Sequence, residues 1–370
     1  MVIGRILVAV LALGCTRGTS EGGVPRIELP PADHVLIYAD APHGRDPLPP
    51  GSDAATAPGS PFLPGEYHPA VRYVVREPDG QVTHFFLDAG VREAQFRHNR
   101  AIDLASLPGP EEDLRPDFLV VSHYHTIFLP SAADAFLRRS GVQPSTPLYE
   151  HDGGGLATLL EENPDLRVYV PRLEGFTYDM LPPIWRQERL LERAIPLGEG
   201  YHPITDRVGI LTRTFSVDEE RWLGHDEIPE NLVVVRSGDG YLVHAACAHR
   251  PARALDGHTP HPAEFLASHM PDPLPALPVR TLLTGACDFP RIARDDRLAG
   301  PDRVAAVFAR IRERFPELDR IVPVHCGLLY TPSCRRVFGD RCQPGLPGAA
   351  FEIPPLDPAP GPASPPCGST

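Results

Sequence analysis

The sequence predicts an α+β protein, a sandwich of two mixed sheets flanked by helices, on three observations. Strand signals fall into two groups along the chain, helical stretches punctuate each group, and each group contains a hairpin turning through glycine. At 370 residues the chain can bury a substantial core, as one large domain or a domain with sizeable insertions. No internal repeat at a solenoid period is visible.

In order, His34-Val35-Leu36-Ile37-Tyr38-Ala39-Asp40 is a first apolar strand, followed by a Pro/Gly/Ser loop over 42–65. Val71 to Val75 and His84 to Leu87 form a hairpin around Pro78-Asp79-Gly80. Phe118-Leu119-Val120-Val121 is a short, fully apolar strand, residues 131–139 read as helix, and Pro147-Leu148-Tyr149 begins another strand. The stretch 165–225 reads as an irregular insertion with Pro182-Pro183 and a mixed-charge helix near 185–194. Asn231 to Val235 and Tyr241 to Ala246 then flank Ser237-Gly238-Asp239-Gly240, a turn and not a phosphate loop. Val279 to Leu283 is a strand, Asp302 to Phe315 an amphipathic helix, and Arg320 to Val324 a last core strand.

Composition narrows the function. A net charge of −13 argues against a nucleic-acid surface, and all 35 basic residues are arginine. The 46 prolines predict extended loops and few uninterrupted helices. Arg5 and the apolar run Ile6 to Leu13 fit a secretory leader, too short for a mature membrane span. Ala12-Leu13-Gly14-Cys15 resembles a bacterial lipobox. The expected organisation is therefore a leader over 1–15 with Cys15 lipidated, and a flexible tether over 16–32. A folded domain over 33–353 and a Pro-rich disordered tail over 354–370 follow. That places the protein at the bacterial cell envelope, anchored by lipid and facing the periplasm or exterior. In such a compartment thiols pair, and Cys334 with Cys342 is the local pair that spacing favours; the connectivity stays open.

The chemistry gathers at strand ends. Phe118 to Val121 runs into Ser122-His123-Tyr124-His125, Leu87 into Asp88, Ala246-Cys247-Ala248 into His249, and Val322-Pro323-Val324 into His325. An H-x-H pair alone is weak evidence, but four strand ends each delivering His or Asp suit a metal site on rigid elements. Cys247 and Cys326 read as small buried residues beside these histidines. His258, His261 and His269 read as solvent-facing in a Pro-rich segment.

With these motifs the chain resembles the metallo-β-lactamase superfamily. Within it, it is similar to the subgroup named for 7,8-dihydropterin-6-methyl-4-(β-D-ribofuranosyl)-aminobenzene-5′-phosphate synthase. The residues carrying the resemblance are Phe86-Leu87-Asp88-Ala89-Gly90, Phe96-Arg97-His98-Asn99, Ser122-His123-Tyr124-His125, Ala246-Cys247-Ala248-His249, Gly285-Ala286-Cys287-Asp288, Pro323-Val324-His325-Cys326-Gly327 and Phe338-Gly339-Asp340-Arg341. They occur in the family's order, across about residues 34–353. The resemblance implies an αββα fold and a metal held by His123, His125, His249 and His325, with Asp288 where the subgroup has a histidine. It also implies that Asp88 orients a ligand from behind. His98 and Asn99 sit where the subgroup starts a helix, Asn99 as a cap beside a candidate pocket.

The departures bear on function. The family's H-x-H-x-D-H supplies a second metal from its last two positions, which here are Ile127 and Phe128. Neither offers a lone pair, so a binuclear site loses part of its ligand set. Three imidazoles suit one zinc or another divalent transition metal, with a position left open where water is acidified to a pKa of about 7. Two readings follow. One is a mononuclear hydrolase acting on an ester or phosphoester-like small molecule. The other is a metal-free relic that binds a ligand or partner in the former cleft. The pterin reaction itself is not carried over, since an exported chain would not meet its cytoplasmic substrates.

Overall fold

The structure, a computed structural model, describes residues 24–39, 56–63, 70–90, 93–107, 114–122, 155–172, 193–216, 227–238, 240–245, 277–285, 300–324 and 327–356. The helix expected at 131–139, the strand expected from Pro147 and most of the helix expected near 185–194 lie outside these residues.

The first sheet contains β1 (His34–Ala39), β2 (Ala70–Arg76), β3 (Val82–Leu87), β4 (Phe118–Val120), β5 (Arg167–Pro171), β6 (Ala194–Leu197) and β13 (Ala350–Glu352). Its order is β13-β1-β2-β3-β4-β5-β6, antiparallel from β13 to β3 and parallel from β3 to β6. The second holds β7 (Gly200–Pro203), β8 (Val208–Ser216), β9 (Glu227–Ser237), β10 (Gly240–Ala245), β11 (Val279–Gly285) and β12 (Arg320–Val324). Its order is β12-β11-β10-β9-β8-β7, antiparallel from β7 to β10 and parallel from β10 to β12. The stretch 165–225, expected to be irregular, thus contributes four strands to the two sheets. Periodicity misses β6 and β7 because they are four-residue strands at the sheet edges, each containing a proline.

Strand alternation sorts the core into three layers. Val35, Ile37, Val71, Tyr73, Val75, Phe85, Leu87 and Phe118 point from the first sheet onto Ile210, Val233, Val235, Leu242, Leu283 and Val322 of the second. Tyr73, Phe85 and Phe118 stack across three adjacent strands at 4.6 and 4.7 Å between ring centroids. Leu36, Tyr38, Phe86 and Leu119, on the other face of the first sheet, pack under helices α1 (Glu93–Ser106) and α2 (Leu156–Glu162). Leu232, Val234 and Val243 do the same on the second sheet under α3 (Gly300–Arg314) and α4 (Gly327–Phe338). The layers are therefore α–β–β–α, as the sequence predicts.

Two polar assemblies sit inside this frame. Under α1, Arg72 and Arg100 enclose Asp103, at 2.9 and 3.1 Å, and the Tyr38 hydroxyl donates to the same carboxylate. Arg100 continues to Glu162 at 2.8 Å and to the Leu114 carbonyl at 2.7 Å. At the base of the sandwich, Arg207 is paired with Asp33 and donates to the carbonyls of Arg76, Arg236 and Pro354. One guanidinium thus ties the entry to β1, the end of β2, the end of β9 and the segment after β13. Residues 24–32, expected as tether, lie partly against the fold. Ile27 and Leu29 pack on the α1 layer, and the Ile27 amide donates to Ser106 Oγ.

Cys334 and Cys342 are joined as a disulfide with Cα atoms 5.9 Å apart, the pair that spacing favours. It fastens the end of α4 to the residue that bridges Ile321 on β12.

Candidate functional site

Strand polarity puts one set of ends on a common rim. β3, β4 and β5 run parallel and stop at Leu87, Val120 and Pro171; β10, β11 and β12 run parallel and stop at Ala245, Gly285 and Val324. The opposite ends form the base where Arg207 sits. Asn231 joins the two sheets at the rim, its backbone amide donating to the Ser122 carbonyl at 2.6 Å. β9 pairs Val233 with His244, so Asn231 lies two residues nearer the rim, level with the exit of β10.

Asp88 occupies the first position past β3. Its φ of 55° is left-handed, a conformation that Asp tolerates better than most residues. The backbone turned this way donates its N–H to Val120 at 2.9 Å and aims the carboxylate at Ser122. That carboxylate accepts the Ser122 N–H at 2.8 Å and its hydroxyl at 2.6 Å. Burial pushes the Asp88 carboxyl up to about 7, against the two Ser122 hydrogen bonds, which favour the ionised form.

Asn231 holds the same strand end from the other sheet. Its side-chain NH2 donates to the Val121 carbonyl at 3.0 Å, and its oxygen accepts the Thr212 hydroxyl at 2.7 Å. Ser122 and Asn231 are both fully buried. Beside them, Arg213 and Glu230 face each other at 3.5 Å, both buried, and burial lowers the Arg213 pKa to about 10 despite Glu230. Deeper between the sheets, the Tyr73 hydroxyl lies 2.5 Å from His244 Nδ1. Burial drives the His244 pKa down to about 3, so this ring is neutral.

Asp88 is the sequence-derived site residue that the described strand ends bring to the rim. His123, His125, His249, His325 and Asp288 lie outside the described residues, as do Cys15, Ile127 and Phe128. Among the described residues no three His, Cys, Asp or Glu side chains stand close enough to hold a metal ion. His98 and Asn99 depart from expectation. The helix begins at Glu93, so Asn99 is inside α1 and caps nothing. Its amide donates to the carbonyls of Tyr38 and Leu63 and accepts the Leu63 N–H, pinning residues 60–63 against β1. His98 is exposed, with Nε2 3.4 Å from the Pro61 carbonyl. Neither faces the rim strand ends, because α1 covers the outer face of the first sheet.

Asn231, Thr212 and the Arg213–Glu230 pair went unread in the sequence. Their one signal is polar residues at inward or rim positions of otherwise apolar strands, which reads equally well as a strand boundary.

No protein-family model matches the chain, and no curated protein matches it. Among solved structures the chain is similar to Tm1679, described as a metal-dependent hydrolase of the β-lactamase superfamily. The TM-score is 0.48 at 14% identity, covering 87% of this chain and 99% of that one. It is also similar to Zn(2+)-bound PqqB from Methylobacterium extorquens, at TM-score 0.45 and 12% identity, covering 86% of this chain and 100% of that one. A third is isothiocyanate hydrolase from Delia radicum gut bacteria, at TM-score 0.39 and 13% identity, covering 76% of this chain and 96% of that one. These likenesses are of strand arrangement and carry nothing about substrate.

Proposed function

We propose that the chain is a metallo-β-lactamase-type hydrolase with a single metal at the rim, held by His123, His125 and His249 with His325 or Asp288 adjacent. The observation that supports it most is the double anchoring of Ser122, the residue before His123. Asp88 grips its amide and hydroxyl, and Asn231 grips its carbonyl from the opposite sheet. A strand exit fixed from both sheets is what a ligand-bearing turn requires.

The donor set fits one zinc, since three neutral imidazoles leave a coordination position for substrate. Zinc bound there would supply Lewis acidity toward a carbonyl or phosphoryl oxygen. The chain's own part is positional. Asp88 and Asn231 hold the exit of β4 in place. We assign the substrate to small esters or phosphoesters, and the protein to the cell envelope through a lipidated Cys15.

A second reading, a non-catalytic relic that binds a ligand or partner in the cleft, is favoured by one observation: Ile127 and Phe128 occupy the last two positions of the H-x-H-x-D-H pattern that the sequence resembles. Elemental analysis of purified protein after mild chelation separates the two. The hydrolase reading expects one transition metal per chain, and zinc added to stripped protein should raise its melting temperature. No metal and no response to zinc would leave the relic; two metals per chain would refute the single-site ligand set. Ile127→Asp with Phe128→His should raise the stoichiometry towards two.

A further inference from the structure

Residues 24–32 form a strap over the α1 layer, and its hold there is light. Ile27 and Leu29 are partly buried, whereas Val24, Arg26 and Glu28 are exposed. The Ile27 amide donates to Ser106 Oγ at 2.9 Å, at the end of α1. Where the strap meets the sheet, the His34 ring bridges the two. Its Nδ1 lies 2.9 Å from the Ala32 carbonyl, and Arg72 Nη2 lies 2.9 Å from its Nε2. A carbonyl only accepts and a guanidinium only donates, so the ring is the neutral tautomer with its proton on Nδ1. Asp33, between Ala32 and His34, is fastened separately. Its carboxylate pairs with Arg207, and its carbonyl accepts the Ile353 N–H at 2.8 Å.

The elements around this buried ring resist a second proton. Arg72 comes from β2, Arg100 and Asp103 from α1, and His84 from β3, the last held down to about 4 by burial. Glu352, in register with His34 on β13, is exposed. The Asp103 carboxylate is shared by Arg72, Arg100 and the Tyr38 hydroxyl, and Asp33 is occupied by Arg207. Burial first, and then Arg72, bring the His34 pKa down to about 4 against the opposing pull of Ala32, Asp103 and Asp33.

We propose that residues 24–32 are an acid-released strap: a proton on His34 Nε2 frees them from the fold, with Asp33 as the pivot. The new N–H would face the Arg72 guanidinium, donor against donor and cation against cation. Turning the ring away from Arg72 breaks its bond to Ala32. Among the described residues, that leaves the Ile27–Ser106 bond and two partly buried side chains to hold the strap. The sign follows from linkage. A histidine at about 4 when docked and about 6.5 when released favours docking above pH 6.5. Each pH unit below that weakens docking by up to about tenfold, until about pH 4. Release would add about 30 Å of reach to the chain at full extension. Where Cys15 is lipidated, as proposed above, the domain would stand further from its membrane in acid; the release itself does not depend on that anchor.

The test is amide hydrogen exchange of the purified full chain at about pH 7 and about pH 4.5, corrected for the intrinsic pH dependence of exchange. The peptide containing Ile27 should lose protection by at least about tenfold in acid, while peptides from β2 and β3 keep theirs. His34→Gln cannot take the proton and keeps an acceptor for Arg72, so its strap should stay protected at the lower pH. If that variant fails to fold, the NMR titration of the His34 ring in the wild type carries the test, and its midpoint should coincide with that of strap release. Equal protection of the strap at both pH values overturns the proposal. So does loss of strap and sheet together, release that persists in folded His34→Gln, or a ring midpoint that departs from that of release.

Discussion

Asn231 of β9 donates its backbone amide to the carbonyl of Ser122 at 2.6 Å, so the exit of a strand in one sheet is hydrogen-bonded to the middle of a strand in the other. The Asn231 side chain adds two more buried bonds, to Val121 and from Thr212. Asn231→Ala keeps the backbone bond and orphans both side-chain partners. The expected cost is about 2–6 kcal/mol, since each of the two buried groups left unsatisfied costs about 1–3 kcal/mol. Urea unfolding should show a lower midpoint at unchanged slope. A change under about 0.5 kcal/mol would mean that the Asn231 side chain does not hold the β4 exit.

Stability should fall in acid between about pH 6.5 and pH 4. Burial, with Arg72 close by, holds His34 and His84 down at about 4, and burial alone holds His244 at about 3. Arg72 Nη2 donates to His34 Nε2 at 2.9 Å, which requires that nitrogen to be unprotonated. A histidine depressed when folded favours the native state above its unfolded pKa of about 6.5, and that contribution is lost as pH falls. Guanidine or urea unfolding from pH 7 to pH 4 reads this directly. A flat profile would show these rings charged or exposed in the native state.

Asp88 acts with the opposite sign. Its carboxyl, raised from 3.8 to about 7, binds a proton in the native state that the unfolded chain has released, so its contribution is present at low pH and lost as pH rises through 7. It therefore offsets one of the three histidine protons between about pH 4 and pH 6.5. Asp88→Asn should steepen the acid loss by up to about 1.4 kcal/mol per pH unit. Identical slopes in variant and wild type would mean that Asp88 is ionised throughout.

Reduction of Cys334–Cys342 should destabilise the protein by about 2.5 kcal/mol, the chain-entropy value for a loop this short. Both sulfurs are buried under α4, so the bond should resist reductant in native buffer and yield in mild denaturant. Thiol titration under both conditions, with the melting temperature after reduction, provides the check. Ready reduction of the native protein would place the bond in a mobile segment.

Cys15→Ser should release the protein from membranes if that cysteine carries the acyl chains of a lipoprotein, which supply the two signals that stable anchoring needs. Fractionation of cells expressing each form decides it. Equal partition of both forms would leave only secretion.

The layered fold was legible because its strands alternate. Val71, Tyr73 and Val75 against Ala70 and Arg72 is a period-2 pattern that a sequence shows without help, and the turns at Gly80 and Gly238 take the positive φ that glycine suits. The place of Asp88 just past the end of β3 was legible through its motif. What stayed hidden depends on tertiary partners. Arg72 looks like a solvent-facing strand residue until α1 brings Asp103 over it, and Asn231 looks like a strand boundary until Ser122 arrives from the other sheet. Edge strands β6 and β7 lack alternation because only one neighbour shapes each. Asn99 read as a helix start because Asn is common there, yet the burial available in mid-helix gave its amide better use.

The Arg207 clamp gives the molecule a handle and a mouth. The stretch entering β1 at Asp33 and the stretch leaving β13 at Pro354 are stitched to one guanidinium, on the side away from the strand exits. A surface gripping the chain through either stretch would therefore hold it by the floor of the sandwich. The rim, with Asp88 buried beside the exits of β4 and β10, would then lie at the end of the sandwich away from that surface.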